Sequence, residues 1–231
     1  MTTQAEFLTK VRQTLKEPVA VAWSDVELRD YINQGAADIA RRTETLQTMG
    51  TVAAVEGTRE YTLPANVLRV HKVEYKPDGS ERIYPMEYSD LHAMDAMWYT
   101  QQAVSKGTCQ AYTLWGYPPA LKLVVYPTPS LPGVFRVHYY AMPAAVATDG
   151  TGSGSTVTVP SGWDDLVVEY AVYLAFRRDV SPRWQEHKSA YEEHVDDMLS
   201  RTRRWSDQGG SIVPNTGQML PSWLVDGGYG F

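Results

Sequence analysis

Three pairs of adjacent carboxylates, Asp164/Asp165, Glu192/Glu193 and Asp196/Asp197, are the residues here with the plainest potential for acid–base chemistry. Hydrolysis of a glycosidic bond needs two such groups facing across a cleft, one of them with a raised pKa. Neighbours along a helix point in different directions, so none of these pairs supplies that geometry alone. Asp164 and Asp165 instead fall in the first turn of a helix, where negative charge complements the dipole. The five histidines, His71, His92, His138, His187 and His194, contain no i, i+4 pair for a metal. Cys109 has no second cysteine with which to build a zinc site. His187 and His194 read as helix surface, and Cys109 as a buried or half-buried thiol. The glycine-rich stretch 150–155 lacks the lysine of a phosphate loop and leads into a strand, so it reads as a mobile hairpin loop. No catalytic, metal or cofactor site is expected, and the chain reads as a non-enzyme.

The elements that would position these residues follow from periodicity. A first helix is expected over residues 3–16, with Phe7, Leu8, Val11 and Leu15 on one face and Pro18 ending it. Ser24 and Glu27 have the spacing of a reciprocal capping box and open a second helix reaching about Thr43. From Leu46 the period changes to two. Strands are expected over 51–55, 60–63, 68–76, 82–86, 112–114, 121–126 and 134–140, and again over 156–159. Glu56-Gly57-Thr58 and Pro77-Asp78-Gly79-Ser80 have the composition of hairpin turns. One helix, capped by Ser89, interrupts the strands over about 90–101. Ser161 is expected to cap a third long helix that reaches Arg178 and is apolar on every side, hence buried. Ser181-Pro182 opens a last helix whose stripe of Trp184, Tyr191, Val195, Met198, Thr202 and Trp205 covers a core on one side.

The expected fold is therefore α+β. Its parts are N-terminal helices over 1–45, an inserted β-rich domain with one short helix over 46–160, C-terminal helices completing the helical body over 161–207, and an extended arm over 208–231. The β region reads as an insertion because each outer helix pair is amphipathic and needs the other to bury its stripe. A net charge of −6 opposes general binding to nucleic acid or anionic membrane. No apolar run approaches the roughly 20 residues of a membrane-spanning helix. Fifteen tyrosines and seven tryptophans favour interfaces, where an apolar ring and a polar tip are both useful.

The arm stands apart. It holds six glycines, two prolines and a single charge, Asp226. Between the breakers sit Ile212, Val213, Met219, Leu220, Trp223, Leu224, Tyr229 and Phe231. A flexible linker would omit these hydrophobes, and a solvating tail would carry charge in their place. These eight side chains are the candidate partner-binding residues.

The order of several short motifs resembles tailed-phage head-to-tail adaptor proteins, also called connector or head-completion proteins. Trp23-Ser24-Asp25-Val26-Glu27-Leu28 through Tyr31-Ile32-Asn33 resembles their opening. Glu60-Tyr61-Thr62-Leu63-Pro64-Ala65-Asn66-Val67-Leu68-Arg69-Val70 is similar to their Y-x-L-P strand and turn. Leu123-Val124-Val125-Tyr126-Pro127-Thr128-Pro129 and Val137-His138-Tyr139-Tyr140-Ala141-Met142-Pro143 resemble their later strands. Pro160-Ser161-Gly162-Trp163-Asp164-Asp165-Leu166-Val167 resembles the start of their third helix.

The resemblance implies a structural virion protein in the phage neck, made in the host cytoplasm and assembled as a homo-oligomeric ring of about twelve copies. It implies a portal protein on one side, tail nozzle or tail tube proteins on the other, and DNA passing through the channel without sequence-specific binding. About twelve copies would carry roughly −72 formal charge, suiting a lining along which DNA slides. The arm would grip the portal, or alternatively a sister subunit. Competing readings are another neck or tail part such as a nozzle or tail-completion protein, a peptidoglycan hydrolase resting on the carboxylates, and a DNA-binding module.

Overall fold

The computed structural model describes residues 2–89, 106–160 and 162–207, with side chains up to residue 202. The helix expected over 90–101, Ser161 and the arm lie outside the described residues. Among those described, four helices stand at the chain's two ends and nine strands lie between them, an α+β fold with a sheet-rich middle. The helices are α1 (Gln4–Leu15), α2 (Asp25–Thr43), α3 (Asp164–Arg178) and α4 (Arg183–Asp207). The described residues up to Val195 form one compact unit, and those from Asp196 on belong to a second. In the second, Arg201 pairs with Asp197 at 2.8 Å along the helix.

The full capping box sits at α1. The Thr3 hydroxyl accepts from the Glu6 amide at 3.3 Å, and the Glu6 carboxylate accepts from the Thr3 amide at 2.7 Å. The next amides, of Gln4 and Ala5, donate to Ser155 O at 3.0 Å and Ser153 O at 3.1 Å. The glycine-rich stretch is thus no mobile hairpin loop. Its carbonyls satisfy donors that a helix start leaves orphaned, and that requirement holds it against α1. A Cβ on Gly152 would meet Val146 Cγ1 at 2.6 Å, so the loop is packed as well as bonded. The strand expected over 156–159 is absent, and a single bridge between Thr3 and Thr156 takes its place. At Ser24 only half a box forms. Its hydroxyl accepts from the Glu27 amide, while the Glu27 carboxylate turns away to Tyr31 Oη at 2.8 Å and Arg178 at 2.5 Å.

The third helix is enclosed as its composition demands. Leu166, Val167, Val168, Ala171, Val172, Tyr173, Ala175 and Phe176 are buried, and both α1 and α2 pack on it. Its N-cap is Trp163, which makes no side-chain cap bond, so Asp164 and Asp165 carry the electrostatics of the first turn. A Cβ on Gly35 of α2 would lie 3.2 Å from the Tyr170 ring, showing how closely the two helices approach. Along α4, Tyr191 is buried and donates to Asp38 at 2.6 Å, and Glu192 pairs with Arg42 at 2.5 Å. His187 is more than helix surface. Its Nδ1 lies 2.8 Å from Glu169 and its ring stacks on Phe176 at 5.2 Å.

Seven strands form one sheet in the order β1-β9-β3-β4-β6-β7-β2. They are β1 (Gln47–Ala54), β2 (Glu60–Thr62), β3 (Val67–Pro77), β4 (Tyr84–Tyr88), β6 (Ala111–Trp115), β7 (Lys122–Tyr126) and β9 (Gly133–Ala141). Two short strands, β5 (Lys106–Gly107) and β8 (Thr128–Pro129), pair separately. The turn at Pro77-Asp78-Gly79-Ser80 does join an antiparallel pair, β3 and β4. Glu56-Gly57-Thr58 does not make a hairpin: β1 pairs with β9 and β2 with β7, at opposite ends of the strand order. Turn chemistry fixes a bend and not a strand's partner, and beyond this bend the chain is anchored by Tyr61. Its buried ring packs against Phe135 at 4.9 Å, and its hydroxyl bonds the Val55 backbone where β1 ends. Val73, Tyr75, Leu123, Val125, Phe135 and Val137 form the sheet's core, with Cys109 among them.

Two measurements check this packing. A Cβ on Gly133 would meet Pro77 Cα at 2.8 Å, a backbone contact that cannot yield cheaply. Gly133→Ala is expected to lower stability in urea unfolding by about 2 kcal/mol, whereas Gly154→Ala, with nothing near its Cβ, should stay within about 0.5 kcal/mol. The second concerns pH. The bond from Arg42 holds the Glu192 carboxyl below the usual range, and Lys72, then His138, do the same for Glu74. Depressed carboxyls contribute fully above their unfolded pKa, about 4.3, and lose that contribution as pH falls through the lower folded value. The urea midpoint should therefore drop below about pH 4.3, and Glu192→Gln should flatten that fall while leaving the region near pH 7 less stable.

Candidate interaction surfaces

The eight apolar side chains singled out as partner-binding, Ile212, Val213, Met219, Leu220, Trp223, Leu224, Tyr229 and Phe231, lie outside the described residues. Two other apolar surfaces lie within them, and periodicity alone did not reveal either.

The first is the α1–α2 turn together with the end of α3. Arg12 is buried and donates through Nε to Asp25 at 3.0 Å and through Nη2 to Trp23 O at 3.0 Å. Glu17 bends back so that its carboxylate accepts from the amides of Val21, Ala22 (2.7 Å) and Trp23 (3.5 Å). Burial raises the Glu17 pKa, but the amides outweigh that and leave it below the usual range. Trp23 Nε1 donates to Ala175 O at 3.3 Å, and Arg178 reaches Ala22 O at 3.2 Å, tying the turn to α3. This bonding holds apolar groups in water. Val21 is 86% exposed, Val19 is exposed in the same turn, and Val180, just past the end of α3, is 83% exposed. Val180 has φ 54, left-handed backbone that costs a residue with a Cβ about 1–2 kcal/mol. The sequence signal was present: Val19-Ala20-Val21-Ala22 is an apolar run between a helix stop and a helix cap, where turn residues are usual.

The second surface is the tip joining β6 and β7. Tyr117 is 87% exposed and Trp115 is exposed beside it, with Gly116 at φ 87 making the bend. Gly116 needs that left-handed conformation, which any side chain would strain. The aromatic pair projects from a turn closed by Ala120 N donating to Tyr117 O at 2.9 Å.

The residues considered for chemistry fall elsewhere. Burial pushes the Cys109 thiol up to about 12, away from the thiolate a nucleophile requires. Asp164 accepts from the Thr2 hydroxyl, and Glu192 is paired with Arg42. A groove of about 550 Å³ brings together Lys10, Gln13, Thr14, Asp165, Val168, Glu169 and His194. Its carboxylates have basic partners: Asp165 lies 3.9 Å from Lys10, and Glu169 2.8 Å from His187. The groove lies between α1, α3 and α4, lined by charged side chains together with Val168 and the apolar parts of its neighbours. His71 is lowered by burial and by Arg69, and its ring meets Tyr140 edge-on at 6.1 Å. His92 lies outside the described residues. No described helix is long and apolar enough to cross a membrane.

The family model described as SU10 adaptor protein matches residues 2–215. No curated protein matches the chain significantly. The match takes in both outer helix pairs, the sheet and the first residues of the arm, and the protein belongs to the SU10 adaptor protein family.

Proposed function

We propose that this chain is a head-to-tail adaptor that forms a ring beneath the portal of a tailed phage, extends the DNA channel and presents the surface on which the tail assembles. An adaptor family implies a structural virion component that meets other head and tail proteins. The observation that carries the finer reading is the pair of bonded turns that hold Val19, Val21 and Val180, and Trp115 and Tyr117, in water. A monomeric protein gains nothing by ordering an apolar turn that it leaves exposed. A subunit that meets neighbours gains affinity from side chains already fixed in place.

On this reading the N- and C-terminal helices, 1–45 and 161–207, are the body of each subunit, and 46–160 is the insertion that meets tail components. Ile212, Val213, Met219, Leu220, Trp223, Leu224, Tyr229 and Phe231 are the docking residues of the arm over 208–231. The reaction-free role follows the same logic: binding energy comes from apolar anchors, and specificity from their placement.

Native mass spectrometry or electron microscopy of the chain mixed with its portal is expected to show a stoichiometric ring, and no complex with any portal or neck component would contradict the proposal. Deleting residues 209–231 should leave the circular dichroism spectrum unchanged and abolish assembly. Within the arm, Trp223→Ala and Tyr229→Ala should each weaken assembly by about 2 kcal/mol or more, and Asp226→Ala by well under about 1 kcal/mol, as read by titration against the assembly partner.

A further inference from the structure

The two edges of the seven-stranded sheet are built differently. The β2 edge is three residues long and carries Glu60, paired with Lys122 at 3.0 Å. Shortness and charge are the usual protections of an edge against pairing with another chain. The β1 edge has neither. It runs eight residues, Gln-Thr-Met-Gly-Thr-Val-Ala-Ala, with no charge and no proline, and its register with β9 is unbroken by any bulge.

The direction of its hydrogen bonds is fixed by one neighbour. Ala141 N donates to Leu46 O at 2.8 Å, so even-numbered β1 residues bond to β9 and odd-numbered ones present N–H and C=O away from the sheet. Gln47 N is used locally by Thr45 O at 3.0 Å, and Tyr61 takes the Val55 backbone. That leaves Met49, Thr51 and Ala53. Among the described residues, no hydrogen bond reaches their outward amides and carbonyls. On the exposed face, Thr51 stands across from Arg136, and Met49 from His138.

We infer that the β1 edge is the receptor for the C-terminal arm of a second copy of this chain, which adds to the sheet as an extra strand. This rests on the ring reading above and names the arm's partner within it. Three properties of the arm match the edge. The 24 residues beyond Asp207 can extend about 80 Å at roughly 3.3 Å per residue, enough to reach a neighbouring subunit. The segment Ser222-Trp223-Leu224-Val225-Asp226 lies between Pro221 and Gly227, a strand-length run rich in β-formers and bounded by breakers. Its one charge, Asp226, is opposite in sign to Arg136 beside the edge. Main-chain bonds would supply the attachment, and alternate side chains the register. The arrangement is heterologous, arm to edge, as a closed ring requires.

The test uses the full-length chain with photoreactive benzoylphenylalanine replacing Thr51, mixed from equal parts isotopically light and heavy protein, assembled with its portal and irradiated. Mass spectrometry is expected to find residue 51 of one copy joined to peptides within 208–231 of another. Ala53→Pro removes an outward amide and leaves every bond to β9, so it should keep the fold and lower that cross-link yield by about tenfold. Rings whose cross-links fall in 90–105, in the same copy's arm, in a partner protein or nowhere would overturn the inference and leave the ring standing. Arm-to-edge cross-links without rings would keep the inference and remove the ring. Absence of both would overturn both.

Discussion

Everything in the helical part of this protein depends on enclosing α3. Eight of its fifteen residues are buried, on more than one side, so the helix cannot lie on a surface. Its neighbours α1 and α2 come from the opposite end of the chain, and the sheet-forming residues must leave and return between them. The polar network follows from that enclosure. Arg12, Glu17, Asp25, Trp23 and Arg178 bond one another or the backbone at the place where the α1–α2 turn meets the end of α3. A buried guanidinium is tolerable here because each of its three nitrogens has an acceptor and Asp25 supplies the opposite charge.

That network links fold to function. Its bonds fix a turn whose outer surface is valine, and just past the end of α3 Val180 is exposed on strained backbone. The sheet repeats the pattern, with its core closed by Tyr61, Tyr75 and Phe135 and its aromatic tip left in water. Order is maintained just where apolar groups face solvent. Adaptor-family membership implies contact with other phage head and tail proteins, and on the proposed function these surfaces make it.

Much of this was legible in the sequence, and the gaps have physical causes. Helical spacing located α1, α2 and the end of α3 closely, because apolar periodicity and the stop at Pro18 report local preference, while α3 starts at Asp164, past the expected Ser161 cap. The all-round apolarity of 164–178 foretold its burial. The turn at Glu56-Gly57-Thr58 misled because turn chemistry fixes a bend but not a partner, and the next strand pairs with β7 at the far end of the strand order. The glycine-rich stretch looked mobile because its anchoring bonds belong to α1, some 150 residues away. His187 looked like surface because its partners, Glu169 and Phe176, sit on another helix. The valine turn and the Trp115 tip carry no periodicity, so their exposure became visible only in three dimensions. The arm's apolar residues were conspicuous by composition, but composition names no receptor.

A reconstruction of the phage neck in the intact virion is the most direct measurement. It should show this chain as a ring at the portal, with Val19, Val21 and Val180 buried against a neighbouring subunit or protein. Density that places the chain elsewhere in the particle, or leaves those valines facing solvent in an assembled neck, would contradict the adaptor reading.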